Sequence, residues 1–204
     1  MLYAITDSTL LANNLLTACE QALAGGCQWL QYRDKSHDAV KRESEARALK
    51  ALCDRYQAKL IINDDVDLAE AVGADGVHLG QGDGSVSVAR KRLGERAIIG
   101  ITCHDQSTLA QKGLADGASY VAFGAFFPSK TKPGARPAPL SLLNDATQLG
   151  APVIAIGGID VSNCQAVVKA GAAGIAVCHS LFAASDIKLQ AQRFCEAMAL
   201  AKPA

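Results

Sequence analysis

Short apolar and β-branched runs recur along the chain at 2–6, 29–33, 60–63, 76–79, 97–101, 120–123, 153–156 and 174–178. Between them lie segments whose apolar positions follow a helical period, clearest at 17–24, 38–56 and 162–170, the last behind Ser162 and Asn163 as a cap region. Ser185-Asp186 opens a final amphipathic helix reaching about Leu200. Gly25-Gly26, Gly73-Ala74, Gly117-Ala118 and Gly171-Ala172 each stand just before the next strand. Glycine there supplies the left-handed cap that turns a helix back onto a sheet. Strand–helix alternation of this kind argues for a parallel sheet. Eight units in one chain match a (β/α)8 TIM barrel, an α/β fold, with an open doubly wound sheet as the alternative.

No composition shift interrupts the pattern, so residues 1–204 read as one barrel domain. The Pro-rich stretch 127–139 follows the sixth strand and reads as a mobile active-site loop rather than a linker. Half the residues are hydrophobic, which excludes disorder, and 20 Lys plus Arg balance 20 Asp plus Glu. That balance argues against a nucleic-acid or anionic-membrane binder. No run approaches the roughly 18 apolar residues of a membrane span, and the N-terminus reads as a strand, so the expected location is cytoplasmic. Seven cysteines, odd in number and without a CxxC pair, fit neither a disulfide framework nor a zinc site. Cys19, Cys27, Cys53, Cys164 and Cys195 read as small buried hydrophobes; Cys103 and Cys178 lie near strand ends.

The chemistry sits where apolar runs stop. Strand three ends in Asn63-Asp64, and strand four runs through His78 to Gln81 and Asp83. The C-terminal rim of a parallel barrel is where ligands bind, and two carboxylates there suit Mg²⁺, which takes one or two carboxylates with waters and substrate phosphate. Helix capping is the other reading of these aspartates, and it suits Asp65 and Asp67 better. Alternation puts Gln31, Arg33 and Lys35 on one side of strand two, a pair of cations for a diphosphate or, alternatively, a solvated strand exit with a local Arg–Asp pair. His78, inside an apolar strand, reads as a buried histidine bonded to its neighbours rather than a ligand or base. Thr102 offers a hydroxyl after strand five, and His104 reads as the start of the next helix. Ser129, Lys130, Thr131 and Lys132 lie in the Pro-rich loop. Gly157-Gly158 after strand seven and Cys178-His179-Ser180 after strand eight match the place where barrels bind phosphate through backbone amides.

In this order the motifs resemble those of the thiamine phosphate synthase family, over nearly the whole chain from Tyr3 to about Phe182. The residues that carry the resemblance are Gln31-x-Arg33-x-Lys35, Ile62-Asn63-Asp64, Gly76-Val77-His78-Leu79-Gly80-Gln81-x-Asp83, Thr131-Lys132 and Ile156-Gly157-Gly158-Ile159. The resemblance implies a transferase that joins hydroxymethylpyrimidine diphosphate to a thiazole phosphate, releasing pyrophosphate. It assigns Arg33, Lys35, Asn63 and Lys132 to the diphosphate, Asp64 and Asp83 to Mg²⁺, and Gln31 to the pyrimidine. Ser129 and Thr131 would reach the ligands from the loop, and Gly158, Cys178 and His179 would take the thiazole phosphate. In the family the carbon–oxygen bond largely breaks before the thiazole nitrogen attacks, so neutralising the leaving group is the main demand.

The chain departs from the family pattern in several places. Thr102 stands where serine is usual, Ser129 where threonine is usual, Gly84 where a proline is usual, and His179 where serine is common. A thiazole tautomerase and a non-catalytic thiamine-phosphate-binding barrel are the competing readings. The diphosphate-and-metal set argues against the tautomerase, since a monophosphate isomerase needs neither. A homo-oligomer is left open.

Overall fold

The apolar runs form β1 (Leu2–Ile5), β2 (Trp29–Tyr32), β3 (Lys59–Asn63), β4 (Gly76–Leu79), β5 (Ile98–His104), β6 (Tyr120–Phe123), β7 (Val153–Ile156) and β8 (Gly174–Val177). The computed structural model describes residues 1–128 and 137–201. Each strand pairs in parallel with the next, and β1 pairs with β8 through Tyr3 and Ala176, so the sheet closes into a barrel in sequence order. The barrel expected from the alternation is therefore the fold, and the open sheet is excluded. Closure leaves no unpaired edge for another strand to join.

Helices alternate with the strands: α1 (Leu15–Ala24), α2 (Ala39–Arg55), α3 (Val66–Val72), α4 (Val86–Leu93), α5 (Ser107–Ala115), α6 (Ser141–Ala146), α7 (Cys164–Lys169), a short α8 (His179–Phe182) and α9 (Ile187–Ala201). The longest, α2, begins where a cap residue is present: the Asp38 carboxylate accepts from the Lys41 backbone N–H at 2.9 Å. It buries Ala46, Leu49, Leu52 and Cys53, spaced to share one face. At the end of α3, Gly73 adopts φ 64°, a left-handed cap that would strain a side chain. Gly26, Gly117 and Gly171 also take positive φ.

Two apolar cores result. The larger lies between strands and helices and holds residues such as Leu49, Leu60, Ile62, Val77 and Phe194. The smaller fills the barrel itself, with Tyr3, Ile61, Tyr120, Ala122, Ile154 and Ala176 at its centre. Strands buried on both faces in this way read as continuous apolar runs. No helix among the described residues is long and apolar enough to cross a membrane.

The end of β5 differs from expectation. His104 does not open a helix; it is the last residue of β5, paired with Phe123 across a register shift. It takes φ 51°, and α5 starts only at Ser107. A local irregularity in the ladder extends the strand past the point where its apolar run ends.

Candidate active site

Residues at the C-terminal strand ends converge on one rim. β3 exits through Asn63 and then Asp64, whose φ of 64° lies in the left-handed region. Aspartate tolerates that conformation better than most side chains. The turn is held by the Asp64 backbone N–H, which donates to the His78 carbonyl at 2.8 Å. Lys35 Nζ donates to Asp64 Oδ2 at 2.5 Å, and Asn63 Nδ2 donates to the same oxygen at 2.6 Å. Asp83 is placed beside them by its own loop, its carboxylate accepting from the Gly80 N–H at 3.1 Å. Partial desolvation, and then the facing Asp64 carboxylate, push the Asp83 carboxyl above its ordinary range, while Lys35 pulls it back.

Two carboxylates turned toward each other form an oxygen-rich, negatively charged donor pair of the kind that a hard divalent cation neutralises. Among the described residues no group of three or more His, Cys, Asp or Glu converges to hold a metal. Any ion here would complete its shell from outside this pair. The capping alternative is met instead by Asp65, which caps α3 by accepting from the Leu68 N–H at 2.9 Å, while Asp67 lies in that helix's first turn.

Arg33 is half-buried, with Nη1 4.0 Å from the Asp7 carboxylate. A local pair with Asp34 does not form. The Asp34 side chain is buried instead, accepting from Lys41 Nζ at 2.7 Å and from the Ser36 N–H at 2.6 Å. Burial alone would raise the Asp34 carboxyl, but these bonds outweigh it and hold it at about 2. Arg33 and Lys35 are thus both on the rim, one loosely paired and one bound to Asp64.

Below the rim, Gln31, Tyr3, Tyr120, His78 and Thr102 form a continuous hydrogen-bonded chain. Gln31 Nε2 donates to Tyr3 Oη at 2.7 Å, the two phenol oxygens lie 3.0 Å apart, and Tyr120 Oη lies 2.8 Å from His78 Nδ1. His78 Nε2 lies 2.9 Å from Thr102 Oγ1. His78 is accordingly the buried, bonded histidine expected. Its burial depresses the imidazole to about 4 despite the opposing effect of Asp64, so the ring is neutral at physiological pH.

Sequence reasoning missed three members of this arrangement. Tyr3 and Tyr120 sit in apolar runs and read as core, and Gly100 carries no chemistry. Yet a Cβ on Gly100 would fall 2.0 Å from Tyr120 Cζ, so glycine there makes the space in which the phenol lies. Trp29 packs edge-on against both phenols, with centroids 5.4 and 5.2 Å away. The signal available in the sequence was the polar atom on each buried tyrosine, which requires a partner.

The loops after β7 and β8 meet at the same rim, where Ser180 Oγ donates to the Ile159 carbonyl at 2.7 Å. Gly157 and Gly158 both take positive φ, and a Cβ on Gly158 would fall 2.3 Å from the Pro128 carbonyl oxygen. The glycine pair therefore lets the segment leaving β6 pack closely, with the Phe127 N–H donating to the Gly157 carbonyl at 3.0 Å. Residues 157–163 separate β7 from α7, whereas His179, exposed, begins α8 directly after β8. Cys178 is half-buried, and burial raises its thiol to about 11. Cys103 is buried and raised to about 12, so neither thiol is a ready nucleophile. Ser129, Lys130, Thr131 and Lys132 lie outside the described residues.

Comparison with known proteins shows the family. The family model described as thiamine monophosphate synthase matches residues 2–181. Thiamine-phosphate synthase of Saccharophagus degradans is 56% identical over 193 residues, covering 93% of this chain and 89% of the relative. The protein of the same name from Chromobacterium violaceum is 55% identical over 185 residues, covering 91% and 89%. Among solved structures, thiamine phosphate pyrophosphorylase from Pyrococcus furiosus superposes with a TM-score of 0.90 at 31% identity, over 99% of this chain and 96% of that one. On the match along nearly its whole length, the chain belongs to the thiamine monophosphate synthase family, a family of transferases.

Proposed function

We propose that this chain condenses hydroxymethylpyrimidine diphosphate with a thiazole phosphate, free or carboxylated, to give thiamine phosphate and pyrophosphate. The observation that carries this reading is the rim cluster in which Lys35, Asn63, Asp64 and Asp83 share one small space in a chain of this family. Arg33, Lys35 and Asn63, with Lys132 from the loop, hold the diphosphate. Gln31 and Thr102 face the pyrimidine. Gly158, Cys178 and His179 border the thiazole phosphate, and Ser129 and Thr131 contact the ligands. Asp64 and Asp83 hold Mg²⁺, which when bound supplies Lewis-acid stabilisation to the departing pyrophosphate.

The chain's own groups do the rest. Lys35 is bonded to Asp64; a diphosphate beside them gives its ammonium a second anionic partner. Asn63 donates to Asp64 and keeps a further N–H for a phosphate oxygen. The pyrimidine carbon then loses pyrophosphate in a dissociative step, and the thiazole nitrogen attacks the resulting cation-like carbon. The groups that speed this are fixed charges rather than a base, which suits a rim where the buried histidine is neutral and engaged on both nitrogens.

The test is release of pyrophosphate by purified protein given both substrates and Mg²⁺, with each omitted in turn. Turnover that requires all three is expected. A folded protein that releases none, while binding thiamine phosphate in calorimetry, would overturn the reading in favour of a binding protein.

A further inference from the structure

The buried chain from Gln31 to Thr102 has a direction. An amide nitrogen only donates, so Tyr3 Oη accepts from Gln31 Nε2. The single Tyr3 proton is then left for Tyr120 Oη, its other neighbour 3.0 Å away. Tyr120 in turn donates to His78 Nδ1 at 2.8 Å, which places the imidazole proton on Nε2. Nε2–H donates to Thr102 Oγ1 at 2.9 Å. Among the described residues nothing bonds Gln31 Oε1, and nothing accepts the remaining Thr102 proton. One end of the chain therefore presents an acceptor and the other a donor.

This rests on the reading that Gln31 and Thr102 face the pyrimidine. We infer that Tyr3, Tyr120 and His78 are positioning residues whose one-way hydrogen-bond chain makes Gln31 an acceptor and Thr102 a donor, so that the pocket selects an aminopyrimidine over its oxo analogue. An exocyclic amine donates while the adjacent ring nitrogen accepts, which matches those two ends. The oxo form presents a carbonyl acceptor beside a ring N–H, the reverse at both atoms. Its acceptor would meet Gln31 Oε1 and its donor the Thr102 hydroxyl proton.

The chain is built to resist reorientation. Tyr3 and Tyr120 are almost fully buried at 1% and 0% exposure, and Gln31 at 2%. The Tyr120 ring lies against the Gly100 backbone, is met edge-on by Trp29, and stacks on His78 at 25° between planes. Reversing the direction needs every member to turn at once: the Gln31 amide, both phenol protons, the imidazole tautomer and the Thr102 hydroxyl. The five groups act as one unit.

Two measurements test this. In protein labelled with ¹⁵N-histidine, His78, assigned by loss of its signal in His78→Gln, is expected as the Nε2–H tautomer. The Nδ1–H tautomer or a charged ring would overturn the proposal, and this readout does not depend on turnover. Tyr120→Phe keeps the ring packing but removes the relay. Its preference for the amino over the oxo pyrimidine diphosphate, taken as the ratio of kcat/KM, is expected to fall by about tenfold or more. That loss should appear in KM for the pyrimidine and leave KM for the thiazole phosphate unchanged. Tyr3→Phe should show the same direction. An unchanged ratio in both folded variants would overturn the proposal. A wild-type protein without turnover would instead count against the proposed function, and the tautomer would still decide the chain's direction.

Discussion

The two ends of the barrel both carry charge, but they handle it differently. At the N-terminal end Asp75 lies between Lys59 Nζ at 2.9 Å and Lys50 Nζ at 3.6 Å, and its second oxygen accepts from the Leu60 N–H. Arg90 there donates to the carbonyls of Gly94, Glu95, Ala97 and Gly117 and to the Ser119 hydroxyl. Both of these charges are answered by an opposite charge or a dipole of the protein itself. At the C-terminal end two carboxylates face each other, Asp64 holds a left-handed backbone, and Asp83 is pushed toward its protonated form. Like charges brought together cost stability, and a fold retains such a pair where a ligand offsets it. One end of the barrel is finished by folding; under the proposed function the other is finished by binding.

Substitutions should separate the two ends. The largest effect is expected from Asp64→Ala: a loss of about 100-fold or more in kcat/KM for Mg²⁺-dependent pyrophosphate release, with an unchanged circular dichroism spectrum. Unfolding would make Asp64 a structural residue and remove the contrast. Arg90→Met should do the opposite, lowering stability to urea by about 3 kcal/mol with kcat/KM unaltered once the protein is folded.

Not every acid near the functional rim is uncompensated, and Asp34 sharpens the point. Its carboxyl is held at about 2, below the ordinary value of 3.8, so its stabilisation is complete above pH 4 and is lost as pH falls through 2. Asp34→Asn should cost about 2 kcal/mol at neutral pH, a difference that closes as the pH of the unfolding titration approaches 2. Magnesium should raise the melting temperature of the wild type by about 3–5 °C at ten times its Kd, the equivalent of about 1.4 kcal/mol, and that of Asp64→Ala not at all.

The smallest effect concerns the sign of a slope. Because the folded Asp83 carboxyl is raised, the folded state holds its proton longer than the unfolded chain does. Its ionisation therefore weakens the metal-free fold as pH climbs from about 3.8 upward. Asp83→Asn should flatten that part of the stability curve, as read by thermal melts across pH 3–6. A steeper curve in the variant would show that Asp64 and Asp83 do not repel.

Much of this contrast was legible in the linear chain. Asn63-Asp64 and Asp83 stand at the ends of apolar runs, and a strand's end in a parallel barrel fixes which rim a residue occupies. Lys35, read by alternation onto the same side as Gln31 and Arg33, does reach Asp64. Asp65 was legible as a cap, because a cap acts on neighbours three residues away. His104 was misread because a register shift in β5 depends on the neighbouring strand rather than on local pattern. That Gly157 and Gly158 also admit the segment at Ala125–Pro128 was not legible, because that contact joins two loops far apart in sequence.

By itself the sequence determined the strand–helix alternation, the parallel sheet that alternation implies, and the set of polar residues delivered to the strand ends. These follow from periods of two and 3.6 residues and from caps, all of which act over short distances along the chain. Only the tertiary structure decided that Tyr3 meets Tyr120 across 117 residues, that Gly100 exists to admit a phenol, and that the Lys35–Asp64–Asp83 charges form one cluster. Barrel closure brings strands from opposite ends of the chain into hydrogen-bond distance, and hydrogen bonds and charge repulsion depend on that distance rather than on separation in sequence.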